Sequence, residues 1–150
     1  MRRDVRTYPP RQDSVPAARR RAAWLAVAWG HPGLAADVAL LTSELTTNAL
    51  LHGSLRDRLL RVEISARDGR FRIAVIDPRG ERWPEILDPA EDESYGRGLR
   101  IVSAVAKQWG AEHRCVGKTV WAELALDDRH DAKSIMITDA GAGDPPEITP

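Results

Sequence analysis

The run ELTTNALLHG sets three polar side chains, Glu44, Asn48 and His52, at intervals of one helical turn. On a helical wheel advancing about 100° per residue they fall near 0°, 40° and 80°. Leu40, Leu41, Leu45 and Leu51 fall between about −40° and 100° on the same wheel, so the polar groups lie inside an apolar stripe. Thr42, Thr46 and Ala49 fall on the far side. A carboxylate and an amide placed against a core need compensation, because burying them without partners is costly. A buried arginine and nearby backbone would supply it; so would a cavity in which a ligand or cation meets these groups. The helix by itself leaves both open. An Asn oxygen with a Glu one turn away suits a Mg²⁺–phosphate site, since hard cations take oxygen ligands.

Two further features point toward a ligand. Asp77 ends the apolar run FRIAVID, and a carboxylate at a strand end can accept a hydrogen bond from an exocyclic amine; an Asp that merely starts a turn is the common alternative. Gly96-Arg97-Gly98-Leu99 stands before a helical pattern. Glycines admit backbone N–H groups close to phosphate, a helix start adds donors and dipole, and Arg97 adds a charge. A hinge before a helix has the same composition. No G-x4-G-K-[ST] run occurs, and no parallel βαβ pattern surrounds the glycines.

The elements that must carry these residues are readable in order. Pro16 opens a helix through AARRRAAWLAVAW to Gly30, and a second helix runs from about Leu34 to Leu51. LLRVEISA and FRIAVID alternate about an Asp68-Gly69 turn, a strong hairpin signal. Residues 78–97 form a long Pro-, Gly- and acid-rich connection. LRIVSAVAKQW predicts a third helix ended by Gly110, and a turn at Gly117-Lys118 closes a second hairpin. This order predicts an α+β fold: a two-layer sandwich with helices on one face of a mostly antiparallel sheet. Residues 1–15 lack a helical period and residues 127–150 are acidic and Gly/Pro-rich, so both are expected to be flexible flanks of a domain over 16–126.

Composition narrows the function classes. The 150 residues suffice for one core, and 22 basic side chains balance 22 acidic ones, leaving no global field for nucleic acid. Residues 1–30 hold seven Arg against Asp4 and Asp13, which reads as a solvated or partner-facing surface rather than a nucleic-acid arm. No apolar run approaches the ~20 residues needed to span a bilayer, and no apolar segment follows the basic start. The lone Cys115 fits a reducing, cytoplasmic setting, and the four histidines make no zinc spacing.

The succession of these motifs resembles the GHKL, or histidine kinase-like, ATPases. It is most similar to the bacterial anti-sigma factor serine kinases and their actinobacterial relatives. ELTTNALLHG resembles that subgroup's E-L-x-T-N-A-x-x-H-G, and YGRGLRIVSAVAKQWG resembles its G-x-G-L-x-I-V segment. The resemblance covers about residues 16–126. It implies a Bergerat-type ATP-binding fold with ATP and Mg²⁺. Glu44 would orient or deprotonate an attacking hydroxyl, and Asn48 would hold Mg²⁺. Asp77 would bond the adenine amine, with Gly80 beneath the base. Gly96, Arg97, Gly98 and Leu99 would form the phosphate end of a lid over 81–97, and Thr119 would reach the adenine. Arg79 occupies the glycine position of the family's D-x-G, with Gly80 following it. The implied activity is a protein serine kinase that binds a sigma factor and phosphorylates an antagonist protein, with a homodimer implied as well. An ATP-holding adaptor without transfer is the competing function. A nucleic-acid binder lacks a reading motif, and a sensor histidine kinase lacks a phosphoacceptor helix or a membrane span.

Overall fold

The computed structural model describes residues 1–52, 59–77, 93–114 and 117–126. Its strands are β1 (Arg2–Tyr8), β2 (Leu60–Arg67), β3 (Arg70–Asp77), β4 (Gln108–Arg114) and β5 (Gly117–Ala125). The helices are α1 (Ser14–Ala28), α2 (Ala35–His52) and α3 (Glu93–Val105), with a 3-10 turn at Pro32–Leu34. The strands form one sheet in the order β1-β2-β3-β5-β4, every pair antiparallel. The core lies on one face of it. Leu60, Val62 and Ile64 of β2, Phe71, Ile73 and Val75 of β3, and Val120, Ala122 and Leu124 of β5 are buried with Val38, Leu41 and Leu45 of α2. The expected two-layer α+β sandwich is therefore the observed fold.

Local chemistry explains the element ends. After α1, Gly30 takes φ +90°, its N–H donates to the Val27 carbonyl, and the His31 N–H donates to the Ala26 carbonyl. That is a Schellman stop, which a Cβ at Gly30 would strain. In the β2–β3 hairpin Asp68 and Gly69 both adopt positive φ, 52° and 76°, the turn whose twist matches that of the flanking strands. α1 begins two residues before Pro16, at Ser14, whose hydroxyl donates to the Pro9 carbonyl at 2.7 Å.

Three expectations are corrected. The first residues are not a flexible flank: β1 pairs along its length with β2, from Arg2 opposite Ala66 to Tyr8 opposite Leu60. Its side chains are mostly exposed and follow no apolar alternation, so hydrophobic pattern could not reveal it. Backbone pairing holds it, together with the Arg21–Asp4 ion pair at 2.7 Å to α1. The third helix starts earlier and stops earlier than expected. Gly96 to Leu99 lie inside α3, and the helix ends at Val105. The Lys107 N–H then donates to the Glu123 carbonyl, handing the chain to the sheet. Gly110 is no helix stop; it sits in β4 opposite Trp121, where a Cβ would come within 2.9 Å of the indole ring. Finally, Gly117 and Lys118 are not a turn but the start of β5, paired with Arg114 and His113. The acidic residues 127–150, Gly80 and the expected lid up to residue 92 lie outside the described residues.

Candidate functional site

α2 runs through the core with a buried face that differs from the leucine stripe. Leu40 and Leu51 are 38% and 51% exposed, whereas Thr42 and Thr46 are fully buried. The threonines manage this because each hydroxyl donates to the carbonyl four residues earlier, Val38 at 2.7 Å and Thr42 at 2.6 Å. The buried face is thus Val38, Leu41, Thr42, Leu45, Thr46 and Ala49. Leucine counting placed it too far toward Glu44. Glu44 and Asn48 lie on its border, Glu44 half-buried and Asn48 buried.

That border is where α2 meets α3. Glu44 touches the second glycine of GRGL: a Cβ built on Gly98 would stand 3.0 Å from Oε1. Gly98 therefore gives the carboxylate its room. Leu99 and Val102, at 1% and 0% exposure, anchor α3 in the core beside it. Burial raises the Glu44 pKa from its usual 4.5 by penalising the charged form. Among the described residues Glu44 has no hydrogen-bond or ion-pair partner. The buried arginine that would have explained it structurally is not supplied by these residues.

Asn48 carries the clearest anomaly. Both its Oδ1 and its Nδ2 are buried, and among the described residues neither makes a hydrogen bond. A buried amide group left unbonded costs on the order of 1–3 kcal/mol, so such groups are rare unless something else bonds them.

Asp77 is 1% exposed at the end of β3, and its register partner on β5 is Lys118, also 1% exposed. Two opposite charges directly across an antiparallel pair stabilise one another. Among the described residues the Asp77 Oδ2 accepts no hydrogen bond, although the residue is not without a partner. Lys118 was missed in the sequence, where it read as a turn residue. The register that sets it against Asp77 depends on the pairing of β3 with β5 across a long connection, which no local pattern encodes.

Thr119 is 2% exposed, and its Oγ1 also lacks a hydrogen bond. It pairs with Ile76, one position off Asp77, so alternation places it on the opposite face of the sheet, with Trp121 and Glu123. The structure thus joins Glu44 to Gly98, keeps Asn48 one turn further along α2, and sets Thr119 apart from Asp77. Gly96 and Arg97 lie in the first turns of α3 rather than in a loop before it.

The donor set fits a nucleotide with Mg²⁺. No group of three or more His, Cys, Asp or Glu that could hold a metal occurs among the described residues. Mg²⁺ needs none, since it commonly binds through one or two protein oxygens together with water and phosphate. No helix among the described residues is long and apolar enough to cross a membrane. A family model of the histidine kinase-like ATPase domain matches residues 8–124. No curated protein matches the chain.

Proposed function

The chain belongs to the histidine kinase-like ATPase family, and from that premise we propose that it is an ATP-dependent protein serine kinase of the anti-sigma type. It binds a sigma factor and, with Mg-ATP, phosphorylates a serine of an antagonist protein; the antagonist's phosphorylation then decides which partner is held. The observation that carries the nucleotide part of this reading is Asn48, a buried amide with both polar atoms unbonded. It sits one turn from a carboxylate of raised pKa. Asn48 Oδ1 would hold Mg²⁺, which supplies charge neutralisation at the triphosphate. Asp77 would receive the adenine amine.

Glu44 is the residue for the hydroxyl. A carboxylate whose pKa is raised by burial is a stronger base than an ordinary one. It would take the serine proton as the serine oxygen bonds to the terminal phosphorus and ADP leaves.

The experiment is calorimetric titration of wild type and Asn48→Ala with ATP, with and without Mg²⁺. The wild type should bind Mg-ATP and the variant should lose the Mg²⁺-dependent affinity while keeping its thermal transition. Equal affinities would remove the reading. Incubation of the wild type with labelled ATP and candidate antagonists then separates the kinase from an ATP-holding adaptor, which would bind the nucleotide and label nothing.

A further inference from the structure

The face of the sheet turned away from the helices is rich in arginine. Register and alternation place Arg3 of β1, Arg61 and Arg67 of β2, and Arg70 and Arg72 of β3 on it. Its carboxylates are outnumbered. Glu63 is shared by Arg3 at 3.5 Å and Arg61 at 2.9 Å, and Glu123 is shared by Arg70 at 3.2 Å and Arg72 at 3.6 Å. Among the described residues Arg67 pairs with its neighbour Asp68 alone, at 3.0 Å. Among the described residues five guanidinium groups thus face three carboxylates, and four of them, Arg3, Arg67, Arg70 and Arg72, line a depression of about 330 Å³. Arg72 also lies over the Trp121 ring, 5.1 Å from its centroid, which stiffens one wall.

The chain leaves the sheet at the border of this same face. The Leu126 N–H donates to the Gly69 carbonyl at 2.8 Å, which sets Leu126 beside the turn that carries Arg67, Asp68 and Arg70. That segment, residues 127–150, holds six acids, Asp127, Asp128, Asp131, Asp139, Asp144 and Glu147, against Arg129 and Lys133.

We propose that residues 127–150 bind back onto the arginine-rich open face of the sheet, with their carboxylates taking the unshared capacity of Arg3, Arg67, Arg70 and Arg72. Reach is ample. A strand rises about 3.3 Å per residue and strands stand about 4.8 Å apart, so the face from β3 to β1 is roughly 10 Å wide. A few residues beyond Leu126 cover it. The individual pairs are weak, because exposed ion pairs contribute little each. Tethering compensates: a short flexible connection gives an effective concentration on the order of mM, so a segment with a dissociation constant of about 1 mM is already bound roughly half the time. The association is electrostatic. It must therefore fade as the Debye length falls from about 10 Å at 0.1 M salt to about 3 Å at 1 M.

The test uses the full chain with a nitroxide attached at Ala142→Cys in a Cys115→Ser background, and reads amide intensities by NMR. The expected result is a loss of intensity at Arg3, Arg67, Arg70 and Arg72 in low salt. Intensity should return at 1 M salt, and in a variant that also carries Asp139→Asn, Asp144→Asn and Glu147→Gln. A loss on the helical face, no loss at low salt, or a loss indifferent to salt and charge would each overturn the proposal. So would a loss seen only between a labelled and an unlabelled copy, which would assign the contact to a second molecule. If the labelled variant fails to fold, the neutralised chain with its native Cys115 is compared with wild type instead. Shifts of the Nε–Hε signals of Arg67, Arg70 and Arg72 support the proposal, and their absence overturns it.

Discussion

The two ends of β3 show how differently one strand can treat its polar neighbours. At the Arg70 end, charges sit in water and are paired: Arg70 reaches Gln108 and Glu123 at 3.2 Å each, and Asp68 pairs with Arg67. Beneath them Phe71 is fully buried against Trp29, with ring centroids 5.8 Å apart. At the Asp77 end, charges are buried. Asp77 and Lys118 are each 1% exposed and stand opposite one another across the β3–β5 pair; elsewhere, on α2, the Asn48 amide is buried with no hydrogen bond among the described residues at either atom. The Arg70 end is arranged for stability, whereas the Asn48 amide carries an energetic cost. A cost kept in the core is where a ligand gains most, because its polar groups meet partners already stripped of water.

That contrast is sharpened by substitutions that move function and stability in opposite directions. The largest effect is expected from Glu44→Gln. Phosphate transfer to the antagonist should fall by about 10²–10⁴-fold, the range for losing a positioned base, with ATP binding nearly unchanged. Stability should change the other way. A carboxyl whose folded pKa lies above its unfolded value binds protons more tightly when folded. Its contribution is therefore fully present below the unfolded pKa and is lost as pH rises through the raised one. As pH rises above the usual carboxylate range the wild type bears that loss and the variant does not, so thermal melts across pH should show a wild-type decline that Glu44→Gln lacks. A variant as fast as an active wild type would leave Glu44 without its role.

Gly98→Ala should act next most strongly, through geometry. Alanine improves an interior helix position by about 1 kcal/mol, so α3 should not weaken. The new methyl group meets Glu44 Oε1 at 3.0 Å and must push the carboxylate aside. Transfer should drop roughly tenfold, as for a base displaced from its hydroxyl, while the melting temperature holds or rises. Loss of both activity and stability would assign Gly98 to helix packing alone.

The smallest effect belongs to the other end of the strand. Gly69 holds φ 76° in the hairpin turn, a conformation that costs an L-residue roughly 1–2 kcal/mol. Gly69→Ala should lower the free energy of unfolding by about that amount, read as a lower denaturation midpoint at unchanged slope, and leave the calorimetric affinity for Mg-ATP unchanged. A change in affinity would show that the two ends of β3 are coupled.

Much of this was legible before any coordinates. Asp68-Gly69 marked the hairpin and Gly30 the end of α1, because both positions need a backbone conformation that few residues adopt. The sandwich followed from the order of periodic segments. In the site, Glu44 and Asn48 stood out as polar residues among leucines. Their exposure did not, since a threonine whose hydroxyl bonds its own helix can be buried as fully as a leucine, which shifts the buried face away from the leucine stripe.

What the sequence by itself determined is therefore the set of local commitments: which runs become helix or strand, where the turns fall, and which side chains have chemistry to offer. What only the tertiary structure decided depends on partners distant along the chain. β1 is a strand because β2 offers it an edge, although none of its own side chains asks for one. Gly110 is small because Trp121 lies across from it, and Lys118 is buried because β5 meets β3 at Asp77 in that register and no other. Thr119 falls on the far face for the same reason, since a one-residue difference in register reverses the direction of every side chain.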